Sequence, residues 1–450
     1  MSASRTATAV LCGVQIVDVM GVTVVVSALP RMLSDLGASP AAAGLLVPGY
    51  AVGFAALLVV AARWGDRRGH RWVLLGGLVT FAVASVLAAV APTTAVLVAA
   101  RFLQGVAAAV SVPNALALLT REAGPDRGRA LSAWNACGGL AGAAGLLVGG
   151  LVTDAVGWRA IFWANIAVTV LLAAGVLRTV RRDCAGGRAQ ESFDTRSACL
   201  QVATIALVVA AADAARHSGV LLAVLGALAA GAALLLVVRE RRAPSPLVPH
   251  ELWRRPAFVA GLAGSFGVTA TTSTFIVITT VHLQQDLGFA TGSAGLMILC
   301  FSTGVVVAAA AAGRLLSAVG ATAVLVGSLA VIGAGAAAAA AIPEVVGVVV
   351  VGLVLAGLGN GAGAVAAYAL GTEVPDDQQA GAAGLLNTAA QVGTAVVVAV
   401  GVAVAAAVGG GATLDARSGA GVSVGAAIVV IAAVLVGRAR RASRSSVPAG

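Results

Sequence analysis

Fourteen stretches of mostly apolar residues, each near membrane length, divide this chain from end to end. They fall at roughly 7–29, 42–62, 73–91, 94–119, 130–152, 159–177, 197–214, 219–238, 257–281, 291–313, 321–341, 344–369, 381–407 and 420–437. A helix needs about 20 such residues to cross the hydrocarbon of a bilayer. The chain is 60% hydrophobic and 10% charged, whereas a soluble domain carries about 25% charged residues. A soluble core has no place for that much apolar surface, so the expected solvent is lipid. The short alternating segments of a membrane β-barrel are absent. The expected fold class is therefore all-α integral membrane with 14 transmembrane helices. The first run is too long for the core of a typical signal peptide and is read as a span.

Charge orients the spans. All 28 basic residues are arginine. The loops at 63–71, 121–129, 178–196 and 239–255, Arg314 and the two tails hold 23 of them. The opposite loops hold four: Arg31, Arg159, Arg216 and Arg417. Such asymmetry places the arginine-rich loops in the cytoplasm. An even number of spans puts both termini there too. The net charge of +10 lies in these loops and not on a soluble basic face, so a nucleic-acid partner is not expected.

One turn is unusually charged. Ala62-Arg63-Trp64-Gly65-Asp66-Arg67-Arg68-Gly69-His70-Arg71 joins the second and third runs. A fainter copy, Gly313-Arg314-Leu315-Leu316-Ser317-Ala318-Val319-Gly320, follows the tenth. The two closing glycines, 69 and 320, are 251 residues apart. Asn135 aligns with Asn387 at an offset of 252, and Gln104-Gly105 with Asn360-Gly361 at 256. A repeated helix–turn–helix in an apolar chain suggests a duplicated transporter. The expected organisation is a six-helix bundle at 1–183, two extra helices with basic linkers at 184–256, a second six-helix bundle at 257–437 and a basic tail at 438–450.

Charge inside hydrocarbon costs about 2.5–3.5 kcal/mol on insertion scales and marks function by default. Asp18 lies midway along the first run, and Arg101 near the start of the fourth. Burial favours a protonated carboxyl, and a nearby arginine favours the carboxylate. A site that alternates between the two environments couples proton movement to conformation. The alternatives are a structural hydrogen-bonding role for Asp18 and a headgroup-seeking role for Arg101. Gln104, Asn135, Asn387 and Gln391 are candidate cavity residues, and Asn387 and Gln391 share a helix face. They serve equally well as hydrogen bonds between helices. Asp66, Arg67, Gly69 and Arg71 are candidate gating residues, because a turn carboxylate can pair with arginine or cap a helix in one state only. Gly145, Gly149 and Gly150 let helices approach closely.

Other chemistries find no support. A nucleotide-binding loop requires lysine, and the chain has none. No nucleophile elbow or metal-ligand cluster appears, and the five cysteines show no paired spacing. No enzymatic activity and no cofactor are expected.

The chain resembles the major facilitator superfamily, and within it the fourteen-span drug:proton antiporters. Segment 62–74 is similar to the loop motif between spans two and three, with Asp66, Gly69 and Arg71 in place and Ala62 and Trp64 departing from it. Arg101, Gln104 and Gly105 match the fourth-span motif, in which the arginine is linked to proton coupling. Gly145-Leu146-Leu147-Val148-Gly149-Gly150 is similar to the antiporter motif of span five, with Leu146 in the place of its proline. Thr23 and Ala28-Leu29-Pro30 resemble the end of the first-span motif. Gly21 holds that motif's aspartate position and Val26 its asparagine position, and Asp18, one turn earlier, is expected to substitute. Trp158-Arg159, Phe162 and Asn165 also fit the family.

The resemblance implies a major facilitator fold, two six-helix bundles around a central cavity, with alternating access. It implies proton-driven export of drugs, antibiotics or other amphiphilic small molecules through the cell membrane by a monomeric chain. The expected partners are substrate, protons and the lipid bilayer. The alternative is a facilitator or importer of a small metabolite on the same fold. A receptor or scaffold would leave Asp18 and Arg101 without a task.

Overall fold

The computed structural model of the chain describes residues 2–39, 42–181, 195–214, 218–242, 250–374, 379–409 and 415–445. Within the helices, several residues, among them Ala62, Arg63, Asp66, Arg67 and Asn135, are described by backbone alone. Fourteen long helices account for nearly all of it. They are α1 (Ser2–Asp35), α2 (Ala43–Arg68), α3 (His70–Ala89), α4 (Thr94–Ala123), α5 (Arg127–Val156), α6 (Arg159–Thr179) and α7 (Thr195–Ala214). Then come α8 (Gly219–Arg242), α9 (Pro256–Val281), α10 (Thr291–Val319), α11 (Ala321–Ala341), α12 (Val346–Gly371), α13 (Gln379–Val408) and α14 (Ala416–Ser445). A π-helical turn, His282–Asp286, extends α9. Among the described residues, ten helices are long and apolar enough to cross a membrane. Shorter apolar stretches mark the other four, at Ala43–Ala55, Leu140–Val156, Cys199–Ala212 and Ala416–Ala432.

Each expected span coincides with one helix, and many of the ends run longer. Helix α1 starts at Ser2, and α14 carries on through Arg438, Arg440, Arg441 and Arg444 to Ser445. The stretch expected as a basic tail is thus largely a helical extension. Arginine is a good helix former, so the helix continues past the apolar run.

The duplicated turn has one backbone solution used twice. Gly69 adopts φ 91°, ψ 125° between α2 and α3, and Gly320 adopts φ 82°, ψ 154° between α10 and α11. Each donates its N–H four residues back, to the carbonyl of Gly65 (2.9 Å) and of Leu316 (3.0 Å). A positive φ is costly for any residue with a Cβ. This is why glycine ends both helices and lets the next start one residue later.

Packing repeats in the same way. In the first half α1 contacts α4, α5 and α6, α2 contacts α4, and α3 contacts α4 and α6. Adding eight to every label gives the main contacts of the second half: α9 with α12, α13 and α14, α10 with α12, and α11 with α12 and α14. The halves meet along two seams, α2 with α13 and α5 with α10, which the same operation exchanges. That is the signature of a two-fold axis between parallel repeats. Helix α7 packs on α2 and α13 at one seam, and α8 packs on α7.

The seams are closed at one end. Val24 to Leu33 of α1, Ala43 to Val47 of α2 and Leu146 of α5 share a single core with the second half. These segments lie toward the arginine-poor loops. Toward the arginine-rich loops, the core of the first half is built from α1 to α6 residues alone, such as Leu11, Phe54, Leu78, Leu118 and Trp134.

The helix contacts also correct one alignment. A Cβ on Gly53 would meet the carbonyl oxygen of Phe102, and one on Gly304 would meet that of Val354. Likewise Gly105 abuts the carbonyl oxygen of Tyr50, and Gly357 that of Phe301. The counterpart of Gly105 is therefore Gly357 and not Gly361, and that of Gln104 is Ala356 and not Asn360. Helix α12 carries glycine at 352, 357 and 361, so it reads nearly the same when slid by one turn. Arg101 then corresponds to Leu353, which is fully buried.

Candidate functional site

Glycine brings α2 and α4 together. Gly53 faces the backbone of Phe102 and Val106, and Gly105 faces the backbone of Tyr50 and Phe54. Such close approach of two helices places the side chains at their contact directly over one another. Those side chains are Tyr50, 1% exposed, and Arg101, 1% exposed.

They form the centre of a buried polar network. The Tyr50 hydroxyl donates to Oδ1 of Asp18 on α1. The Arg101 guanidinium lies over the Tyr50 ring, 4.6 Å from its centroid. Arg101 Nη1 donates to the carbonyl of Gly21 (2.9 Å) and to Oε1 of Gln104 (2.7 Å). Gln104 Nε2 donates to Oγ of Ser85 on α3 (2.9 Å), and Ser85 donates to the Phe81 carbonyl (2.8 Å). Four helices are thus joined through one arginine. Arg101 Nε has no hydrogen-bond partner, an omission worth about 1–3 kcal/mol in a buried site. A desolvated cation over an aromatic face recovers about 2 kcal/mol or more. Asp18 is the least enclosed member, half-buried where the others are buried.

The closed end has its own contacts across the halves. The Asp154 carboxylate accepts from the N–H of Gly292, in the first turn of α10 (2.5 Å). Gln284 Nε2 donates to the Ser27 carbonyl (3.0 Å). Gly150 leaves only enough space for the Thr291 backbone, a Cβ there standing 2.8 Å from that carbonyl. An anion at a helix N-terminus is favoured by the orphan N–H groups and the helix dipole. Asp154→Ala is expected to loosen this end. A loss of about 1 kcal/mol for a charge-assisted bond at a partly wet site changes an open-to-closed ratio roughly fivefold. Electron–electron distance measurements between spin labels at Val156 and Ser293, in a cysteine-free background, read that population. An unchanged distance distribution contradicts a latching role for Asp154.

The residues singled out in the sequence divide clearly. Asp18, Arg101 and Gln104 come together through Tyr50, and Asp18 and Arg101 form no direct ion pair. Asn387 and Gln391 are half-buried on α13 and make no hydrogen bond to the network. Gly145 and Gly149 pack α5 against Thr23, Val24 and Ser27 of α1, within the first half, and Gly150 packs across the seam. Arg71 is buried and its Nη2 donates to the Leu177 carbonyl (2.7 Å), tying α3 to α6. Gly69 forms the turn. The side chains of Asp66, Arg67 and Asn135 lie outside the described residues.

Two partners were not singled out from the sequence, Tyr50 and Ser85. Tyr50 is one of two tyrosines in the chain and sits mid-span between Gly49 and Gly53, which is the available signal. Asn114 ties α4 to α2 and α3. Its Nδ2 donates to the carbonyls of Ala61 (3.0 Å) and Val110 (2.7 Å), and its Oδ1 accepts from His70 (2.8 Å). Trp158 and Arg159 secure the arginine-poor end, donating to Asp35 (3.0 Å) and to the Ala91 carbonyl (3.2 Å).

Known proteins resemble the chain in sequence and in fold. The chain is 34% identical over 304 residues to the cephamycin export protein of Amycolatopsis lactamdurans, covering 66% of this chain and 62% of that protein. It is 31% identical over 334 residues to the probable actinorhodin transporter of Streptomyces coelicolor, covering 72% and 57%. With the puromycin resistance protein of Streptomyces alboniger it shares 34% over 336 residues, covering 71% and 64%. The chain spans less than two thirds of the length of these relatives. The fold is that of the nucleoside transporter NupG (TM-score 0.69, 14% identical, 97% of this chain and 99% of that one). It is also that of a bacterial homologue of the lysosomal transporter Spinster, solved inward-facing and unoccupied (TM-score 0.68, 15% identical, 97% and 94%). The family model described as the Major Facilitator Superfamily matches residues 11–283 and 261–450. With its membrane-length helices, the chain is a multi-pass membrane protein and belongs to the Major Facilitator Superfamily.

Proposed function

We propose that the chain exports drugs, antibiotics or other amphiphilic small molecules across the cell membrane in exchange for protons. The observation that carries this reading is the Asp18–Tyr50–Arg101–Gln104 network. It holds an acid and a base at membrane depth in one half, and the second half has Phe301 and Leu353 in the places of Tyr50 and Arg101. Such charges are retained in hydrocarbon where they serve transport. The export proteins among its relatives support the substrate class.

Alternating access follows from the two seams. The contacts between halves gather at the arginine-poor end, which the positive-inside rule assigns to the exterior. The arrangement then corresponds to a conformation open toward the cytoplasm, with both termini cytoplasmic. Asp18, half-buried, exchanges its proton with that side. Rocking the halves about the seams opens the other end and returns Asp18 to the exterior to be protonated again. One charge moved across 100 mV supplies about 2.3 kcal/mol. Both repeats lie on one polypeptide, so a monomer suffices.

The turn at Asp66 is read as part of the cytoplasmic gate. Asp66→Asn is expected to slow turnover about fivefold, the effect of roughly 1 kcal/mol from an ion pair made in one state only. Substrate KM changes less than twofold. A large rise in KM at unchanged turnover contradicts gating.

Efflux of ethidium from cells expressing the chain, with and without a protonophore, tests the proposal. Export that collapses on adding the protonophore supports it. Export indifferent to the protonophore, or uptake in place of export, overturns it.

A further inference from the structure

Asp18 and Arg101 do not touch, but Tyr50 touches both. Its hydroxyl serves the carboxylate and its ring carries the guanidinium. Tyr50 belongs to α2, the helix that forms one of the two seams. The face bearing Tyr50 and Phe54 looks toward α4 and α1. Another face, with Ala51, Val52 and Ala55, packs on Ala395, Ala399 and Ala403 of α13 and on Ile205, Val209 and Ala212 of α7. Near the start of α2, a Cβ on Gly44 would stand 3.2 Å from Val402. One helix therefore contacts the charged network on one side and the opposite half on the other.

We propose that Tyr50 is the positioning residue through which the charge state of Asp18 reaches the α2–α13 seam. This rests on the reading of Asp18 as the proton site. While Asp18 is ionised, the hydroxyl donates to a carboxylate, a charge-assisted bond stronger than its neutral equivalent. The ring is then fixed beneath Arg101, and α2 is held where it packs on α13. When a proton binds the Asp18 carboxylate, Tyr50 keeps its own proton and the bond loses its charge assistance. The ring and α2 are then free to shift against α4. The sister seam has no such handle. Phe301 replaces Tyr50 on α10, Leu353 replaces Arg101 on α12, and α9 has no acidic residue. Coupling thus enters through one seam only.

Among the described residues, no other charge lies midway along a helix beside this network. Of the helices packed around α1 and α2, namely α3, α4, α5, α6, α7, α9, α10 and α13, only α4 carries a charged residue away from its ends, and that is Arg101. The remaining charges on these helices lie in terminal turns: Arg71, Arg121, Glu122, Arg127, Arg129, Asp154, Arg159, Arg178, Arg196, Asp213 and Arg314. His70 lies in the first turn of α3. Cys12 on α1 and Cys137 on α5 lie further toward the arginine-rich end.

Tyr50→Phe keeps the ring beneath Arg101 and removes the donor. In inverted vesicles, with ethidium as probe, the pH midpoint of proton-driven transport is expected to move upward by about one unit, to a tenfold lower proton concentration, the worth of one hydrogen bond to a charge. A merely structural role lowers the rate and leaves the midpoint in place. In an Asp18→Asn background, Tyr50→Phe is expected to leave the pH dependence unchanged. A second measurement needs no variant at Tyr50: spin labels at Ser39 and Val408 report the seam directly. Their distance is expected to change with pH in the wild type and to be fixed in Asp18→Asn. Protonophore-sensitive transport with a wild-type midpoint in Tyr50→Phe, or a seam distance indifferent to pH, overturns the role of Tyr50 alone. Transport indifferent to the protonophore overturns the proton reading and this inference with it.

Discussion

Asp18→Asn is expected to abolish concentrative export while leaving a folded protein in the membrane. Asparagine offers the same shape, and its carbonyl still accepts from the Tyr50 hydroxyl, so the contact between α1 and α2 survives. What is lost is a group that can bind and release a proton. Ethidium is a monovalent cation, so its one-for-one exchange with a proton moves no net charge, and a pH difference of about one unit sustains a substrate gradient of roughly tenfold. That gradient should fall to near unity in inverted vesicles, while exchange of labelled for unlabelled ethidium continues. Arg101→Ala is a less discriminating change. It strips donors from the Gly21 carbonyl and Gln104 and the cation from Tyr50. Breaking a buried charged network from one side costs about 3–5 kcal/mol, so loss of export there mixes coupling with stability. An Asp18→Asn protein that concentrates ethidium like the wild type removes Asp18 from the mechanism.

The second large effect concerns packing. Gly105→Ala adds a Cβ that meets the Tyr50 carbonyl oxygen and stands 2.9 Å from the Phe54 nitrogen. Both are backbone atoms of a helix, and neither can turn aside as a flexible side chain would. Helix α2 must move off α4, taking Tyr50 away from Arg101. Overpacking a close contact costs about 1–3 kcal/mol, here with the displaced network in addition. The expected result is a clear fall in the thermal midpoint of the detergent-solubilised protein and loss of export. Gly76→Ala is the matched control, because its Cβ would meet nothing within 4 Å. There the gain in helix propensity over glycine, up to about 1 kcal/mol, is free to appear. Equal midpoints for the two variants contradict the role given to Gly105.

Much of this fold was legible in the sequence because lipid imposes a length. An apolar run such as 321–341 has one available structure in hydrocarbon, and the helix Ala321–Ala341 has the same bounds. The pairing of Gly69 with Gly320 was legible for a different reason: a one-residue link between antiparallel helices needs a positive φ. Register within a glycine-rich helix was not. In α12 the spacing of Gly357 and Gly361 repeats by a turn, and the helix contacts, not the residue types, choose between them. Tyr50 was also out of reach, since an aromatic in an apolar run has many uses in a membrane. Its role depends on Gly53 and Gly105 bringing α4 beneath it, which is a property of two distant segments together. Asn387 and Gln391 share a face as their spacing requires, yet spacing alone could not show that they make no hydrogen bond to the Arg101 network.

Proton movement itself is the most direct test. The purified chain is reconstituted in vesicles holding a pH-sensitive dye, and an ethidium gradient is imposed with no initial pH difference. The expected result is proton flux opposite to ethidium flux in the wild type and none in Asp18→Asn, with ethidium still crossing in both. Ethidium movement in the wild type without any counterflow of protons would contradict proton antiport through Asp18.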